Sequence, residues 1–318
     1  MIKALATNRA LVALIGVALV FLLGAALIPG FASLFSIRAM LVLAALLAIA
    51  ALGQTLVMIL GGIDLSIPFV IGFANVVFAS LYGDGMSPLL AGIIVLASAG
   101  LIGAFSGALS AALSIHPLIV TLGVGTMVQA GVQIWTRGLP TGSAPAFIND
   151  FVSLGGSIGP LPFPWLIPFT ILLTLGTVFV LRRTIYGRKL YALGSNIKAA
   201  ELALIRPVAI WAITFGLSAM FAALAGILLL GFTGSSSATV GTPYLFQTVS
   251  AVVIGGTALI GGRGGFVGTV AGAIMLMELR TFLIGMGFSD AMVQSSLGIL
   301  ILLLVAAYGR DRHIRNLI

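Results

Sequence analysis

Few residues in this sequence could carry out chemistry. Its 318 residues include seven Asp or Glu, two His and no Cys. Without cysteine there is no disulfide, thiolate nucleophile or Cys-based metal site. His116 and His313 lie far apart and offer no metal cluster. There is no paired carboxylate, nucleophile elbow or HExxH run to support catalysis. Lys3, Lys189 and Lys198 are followed by Ala, Leu and Ala, so none sits in a Gly-Lys-Ser/Thr phosphate loop. GGRGGFVG at 261–268 is glycine-rich, but no strand precedes it, and close helix packing is the simpler use of its glycines. What remains are isolated polar groups in apolar surroundings. Asp64 and Ser66 fall where a helix begins and can take its free backbone N–H groups. Arg263 sits in a second glycine turn, where it could meet lipid phosphate, Asp64 or a neighbouring subunit. Gln54, Asn75, Gln129 and Gln133 are amides inside apolar runs. Amides offer both donors and acceptors to a polar partner, or they tie helices together. Gln129 and Gln133, four apart, share a helical face.

The elements that must position these groups follow from composition. Hydrophobic residues make up 60% of the chain and charged ones 7%, with a mean hydropathy of +1.26. A soluble domain carries about 25% charge, so the chain is expected to be an all-α, polytopic integral membrane protein in a lipid bilayer. Apolar runs of span length fall near 10–29, 39–60, 67–82, 88–113, 118–136, 164–181, 208–231, 244–260, 266–285 and 289–308, ten in all. Lys3 and Arg9 precede the first, which reads as an uncleaved helix rather than a signal peptide. Arg182, Arg183, Arg188, Lys189, Lys198 and Arg206 fill the loop after the sixth, and Arg310, Arg312 and Arg315 follow the tenth. Ten spans place all three basic segments on one side, which the positive-inside rule makes cytoplasmic, with both termini there. The net charge of +8 thus follows from topology, not from nucleic-acid binding. The longest outer loop, 137–163, is rich in Gly, Pro and Ser, with Trp135 before it as an interface anchor.

Two stretches look alike, LVMILGGIDLSIPFVIGF at 56–73 and TALIGGRGGFVGTVAGAI at 257–274. Each is an apolar run, a GG break and a second Gly-rich run. They read as a remnant of internal duplication or as independent tight turns. The loop at 182–207 is the other unusual feature. Tyr186-Gly187-Arg188 reads as a turn and Gly194 as a hinge. Ser195 or Asn196 caps a short helix over 197–204, and Pro207 lies beyond its end. A helix this short is unstable alone in water, so it must rest on the membrane, on the protein's own spans, or in a groove of a partner. Ile197, Ala200, Ala203 and Leu204 share one side, Lys198 and Glu201 point elsewhere, and Ala199, Ala200 and Ala203 form a small face suited to a tight fit.

Three stretches, GQTLVMILGGIDLS (53–66), YGRKLYALGSNIKAAELA (186–203) and VIGGTALIGGRGGFVGTVAGA (253–273), resemble the permease subunits of ribose-type ABC sugar importers. In places the chain departs from that pattern: Ile67-Pro68 follows GGIDLS, and Ala203-Leu204-Ile205-Arg206-Pro207 follows the short helix. The resemblance implies a single permease domain over 1–318 that works as a homo- or heterodimer in a bacterial inner membrane. It implies a periplasmic or extracellular sugar-binding protein that delivers a monosaccharide. It also implies separate ATP-binding cassette ATPase subunits, with ATP and Mg bound there and no cofactor on this chain. Residues Gly194, Ser195, Asn196, Ala199, Ala200 and Glu201 would then form the ATPase-coupling helix. Asp64, Ser66 and Arg263 would lie at gating or inner turns, and Gln54, Asn75, Gln129 and Gln133 along the substrate path. An ion-coupled secondary transporter, or a permease for a nucleoside, branched-chain amino acid or autoinducer, is the alternative.

Overall fold

The computed structural model describes residues 9–308; Lys3, Arg310, Arg312, His313 and Arg315 lie outside them. Thirteen helices and no named strand occur among the described residues. They are α1 (Arg9–Leu27), α2 (Leu34–Leu60), α3 (Ile67–Gly83), α4 (Pro88–Leu113), α5 (Pro117–Trp135), α6 (Ala146–Val152), α7 (Leu166–Arg183), α8 (Ile185–Ser195), α9 (Ile197–Leu202), α10 (Pro207–Thr233), α11 (Tyr244–Ile254), α12 (Phe266–Gly285) and α13 (Asp290–Tyr308). Local signals explain most boundaries. Ser33 and Ser87 cap α2 and α4 through their hydroxyls, and proline occupies the first turn of α3, α4, α5 and α10, where its missing N–H costs nothing.

Each of the ten apolar runs corresponds to a helix, but they are not ten equivalent crossings. Among the described residues six helices, α2, α4, α5, α7, α10 and α12, are long and apolar enough to cross a membrane. The run at 244–260 was expected to be a full span. Its helix, α11, has 11 residues, about 16 Å at 1.5 Å per residue, against a hydrocarbon core of about 30 Å. It stops at Gly255-Gly256, where Gly256 turns with φ of +86°.

Two 27-residue helices, α2 and α10, form the centre. Every residue of α2 from Ala44 to Leu60 is buried, as expected of a helix that is apolar all round. The two meet at Gly53, where a Cβ would come within 2.5 Å of Ser218 Cα. Around them, α10 packs against α4 and α3, and α12 packs against α1, α2 and α11. Glycine permits the α10–α4 approach too, since a Cβ at Gly103 would strike the Phe215 carbonyl. In lipid, where apolar surfaces gain little from meeting, such backbone proximity supplies the packing contacts. Large residues of α4, α5 and α7, such as Leu101, Met127 and Leu172, point outward.

Each central helix ends on a left-handed glycine, Gly61 (φ +94°) and Gly234 (φ +76°). After each, the chain turns back into the bundle as non-helical backbone, over 62–66 and 235–243, before a shorter helix starts. The second re-entry runs beside α3. The Ser237 N–H donates to Asn75 Oδ1 at 2.8 Å, Gly72 lies on the Ala238 carbonyl, and Gly241 lies on the Pro68 carbonyl. Ala238 and Gly241 are buried by these contacts, while Ser235, Thr239, Thr242 and Pro243 stay exposed, so the segment is packed into the bundle along one side only. The 137–163 segment, expected to be the longest outer loop, is also partly folded. It carries α6, whose Ile148 packs on Gly231 of α10.

Widening the contact between the two central helices should loosen the whole bundle. Gly53→Leu is expected to lower the thermal midpoint of the detergent-solubilised protein by several degrees, corresponding to about 1–3 kcal/mol of overpacking. Gly131→Leu, on open surface of α5, should leave it unchanged; intrinsic fluorescence during heating reads both.

Candidate coupling and transport site

The first re-entry sets a problem. Non-helical backbone inside an apolar bundle must have its N–H groups satisfied by other parts of the protein. Each of the three N–H groups leading into α3 finds a side chain. The Asp64 N–H donates to Gln54 Oε1 at 3.3 Å, the Leu65 N–H to Thr121 Oγ1 at 3.0 Å, and the Ser66 N–H to Asp64 Oδ1 at 2.9 Å. The Ser66 hydroxyl, expected to cap α3, instead donates to the same Asp64 oxygen at 2.6 Å. The second carboxylate oxygen accepts from the Ser218 hydroxyl at 2.7 Å. Asp64 therefore joins the start of α3 to α10, while Gln54 and Thr121 bring in α2 and α5. The carboxylate is buried (2% exposed) and is held by hydroxyls and an N–H. No Asp64–Arg263 ion pair forms among the described residues: Arg263 is exposed, and its carbonyl accepts from the Ala258 N–H at 3.0 Å. Sequence reasoning missed Ser218 and Thr121. Ser and Thr are common inside membrane helices, and nothing local marks these two as partners of residue 64.

The four amides separate. Gln54 and Asn75 are fully buried. Asn75 is occupied at both ends, donating to the Gly226 carbonyl at 3.1 Å and accepting from the Ser237 N–H. Gln54 Nε2 is buried without a partner among the described residues. Gln129 is half-buried and donates to the Ala238 carbonyl at 3.4 Å, and Gln133 is exposed one turn further along α5. A cleft of about 600 Å³ between α11, α12 and α13 gathers further amides and hydroxyls that the sequence did not single out, Gln247, Ser250 and Gln294, beside Phe246. At its mouth Arg280 faces Asp290 at 3.6 Å. Glu278, two residues before Arg280 on α12, is buried with one carboxylate oxygen unpaired among the described residues.

The 182–207 segment is an arm of two helices. Tyr186-Gly187-Arg188 is not a turn but lies in the first turns of α8, where Gly187 presses on the Leu181 carbonyl. Gly194 is helical rather than a hinge; a side chain there would collide with the Ile59 carbonyl. Asn196 is the cap of α9, accepting from the Ala199 N–H at 3.0 Å, while Ser195 Oγ bonds back to the Tyr191 carbonyl at 2.8 Å. The expected small face is divided. Ala200 is buried, and Ala199, Glu201 and Ala203 are exposed. The outward tip is instead Leu202 (87% exposed) and Leu204 (91%), the latter in a left-handed conformation with φ of +59°. Two tyrosines anchor the arm. Tyr186 OH pairs with Thr214 Oγ1 at 3.0 Å and Tyr191 OH donates to the Gly264 carbonyl at 2.7 Å. Burial pushes the Tyr186 hydroxyl up to about 12, the Thr214 bond offsetting part of this. Burial also raises Tyr191, against the lowering effect of Arg182.

Removing the Asp64 carboxylate strands three donors. Asp64→Ala is expected to cost about 2–4 kcal/mol, since a buried unmet donor costs about 1–3 kcal/mol. Ser218→Ala should cost less, because Asp64 keeps both bonds from Ser66. Thermal midpoints in detergent should fall in the order parent, Ser218→Ala, Asp64→Ala; equal midpoints for Asp64→Ala and parent would contradict the account.

Comparison with known proteins places this geometry. A family model described as "Branched-chain amino acid transport system / permease component" matches residues 36–307. The chain is 34% identical over 260 residues to the ribose import permease protein RbsC of Escherichia coli (strain K12), covering 81% of each chain. It is 32% identical over 284 residues to the autoinducer 2 import system permease protein LsrC of Shigella flexneri, covering 89% of this chain and 82% of the relative. No solved structure matches. The match spans both re-entries, the arm and the central pair, and it means that the chain belongs to this transport-system permease family, as a permease subunit rather than an enzyme.

Proposed function

We propose that this chain is the membrane subunit of an ATP-driven importer for a monosaccharide in a bacterial inner membrane. The observation that carries the reading is the tip of the arm. Leu202, the last residue of a six-residue helix, and Leu204, just beyond its end, stand almost fully exposed on an arm that is itself pinned to the bundle. Exposed apolar side chains at the end of a rigid, basic projection are what a partner's groove would cover. In this reading the partner is a separate ATP-binding cassette ATPase that holds ATP and Mg, and the arm lies on the cytoplasmic side, where the positive-inside rule puts Arg182, Arg183, Arg188 and Lys189.

The opposite end receives the solute from a binding protein, with the folded 137–163 segment as its docking surface. A second permease subunit completes the path. Gln129 and Gln133 offer amide groups on α5 without being locked into the core, so they are the better path residues; Asn75 and Gln54 hold the core together. Asp64 and Ser66 set the start of α3 and are the gating pair, and Arg263 lies on the turn facing the arm. The likeness to permeases named for ribose and for autoinducer 2 supports a small polyhydroxylated solute, and ribose is the probe to try first.

The chain has no cysteine, so single introduced thiols report cleanly. With the ATPase co-expressed, Ala199→Cys and Leu202→Cys should crosslink to it, and Ala200→Cys, which faces inward, should not. Ribose uptake should stop when the ATPase's catalytic residues are removed and survive collapse of the proton gradient. Absence of a crosslink from both outward positions, or uptake that follows the gradient instead, would overturn the proposal in favour of an ion-coupled carrier.

A further inference from the structure

The arm touches the bundle at a place that belongs to neither of its flanking helices. The two GG turns, distant in sequence, meet there. The Gly262 N–H donates to the Ile59 carbonyl at 2.8 Å. A Cβ at Gly261 would come within 2.9 Å of both Gly61 and the Gly194 carbonyl, and one at Gly262 within 2.6 Å of Ser195 Oγ. Gly194 closes the cluster from the arm. Its own Cβ would collide with the Ile59 carbonyl and reach 2.7 Å from the Gly262 nitrogen. Positive φ at Gly61, Gly261 and Gly262 lets the chain turn within this space. Beside the cluster, Tyr191 OH holds the Gly264 carbonyl at 2.7 Å. Three backbone segments thus touch with no side chain between them, and close-packed backbone leaves no slack to absorb a displacement.

Each turn leads to a different moving part. The 61–66 turn leads through Asp64 to α3. The 255–265 turn leads directly into α12, whose Thr269 hydroxyl pairs with Thr55 of α2 at 2.8 Å. We propose that Tyr191 and Gly194 are positioning residues that lock the 255–265 turn to the arm, so that one push on α9 reaches α3 and α12 together. This rests on the reading of the arm as the ATPase contact. It gives α8 a role of its own, since α8 carries both the tyrosine and the glycine that reach the turn. Without the lock, a push would move α3 and leave α12 behind, and the path would open on one flank only.

The test uses the permease–ATPase complex in lipid nanodiscs, with spin labels at Val267→Cys on the first turn of α12 and Leu101→Cys on the outward face of α4. Pulsed electron resonance measures their separation without nucleotide and after trapping with ATP and vanadate. The parent should show a shift of about 2 Å or more, the scale of helix movements at interfaces. Tyr191→Phe, which keeps the ring and removes the bond, should reduce the shift by at least half, while the crosslink from Ala199→Cys persists. Gly194→Ala, which wedges the cluster apart, should do the same. A full shift in Tyr191→Phe, or no shift in the parent with its crosslink intact, overturns the proposal. Loss of the Ala199→Cys crosslink in the parent is a separate result; it removes the ATPase reading, and this inference falls with it.

Discussion

A backbone N–H in an apolar interior must find an acceptor inside the protein, and the architecture follows from meeting that need at two re-entrant segments. A membrane helix satisfies its own donors; residues 62–66 and 235–243 do not. The first is completed by Gln54, Thr121 and Asp64, the second in part by Asn75. Because these acceptors come from α2, α3 and α5, with α10 held through Ser218, the polar groups fix the relative placement of helices that apolar contact alone would leave free to slide. Asp64 is the centre of this arrangement. Its carboxylate is held entirely by Ser66 and Ser218, which spares the interior a guanidinium and its own desolvation cost.

Glycine solves the complementary problem. Hydrogen bonds position the re-entrant backbone only if the helices come close enough, and at Gly53, Gly72, Gly241 and Gly194 a single methyl group would forbid the approach. The same residue type thus serves three ends: central packing, seating of a re-entrant segment, and contact between arm and bundle. Function grows from that combination. A bundle built of continuous helices would be stable but hard to switch. One whose short helices α3 and α11 begin after non-helical segments packed on the bundle has ends that can shift without breaking a full-length helix.

The resemblance seen in the sequence and the family match agree on a transport-system permease. Where sequence and structure diverge, the reason is consistent. Hydropathy over span-length windows marked all ten apolar runs because that signal is local. The run at 244–260 was overextended because Gly255-Gly256 is apolar by composition and only its backbone conformation shows the break. The similarity between 56–73 and 257–274 pointed to two turns that do touch, yet the partner of the 61–66 re-entry in chain layout is 235–243, which contains no GG pair. Ala200 was placed on an outward face with Ala199, although neighbouring helical positions lie about 100° apart and α8 decides which one is covered.

By itself, then, the sequence determined the solvent in which the protein lives, the helical class, the positions of the apolar segments and the isolation of a basic arm with Asn196 at its cap. Those properties depend on residues close together in the chain, through hydropathy, capping and the geometry of proline and glycine. Tertiary structure alone decided that Ser218 and Thr121 complete the Asp64 site, that Asn75 is a structural tie, that Leu202 and Leu204 form the arm's tip, and that Gly194 meets both glycine turns. Each of these joins groups far apart in the chain, and a hydroxyl or a glycine carries no mark of its distant partner until packing brings the two together.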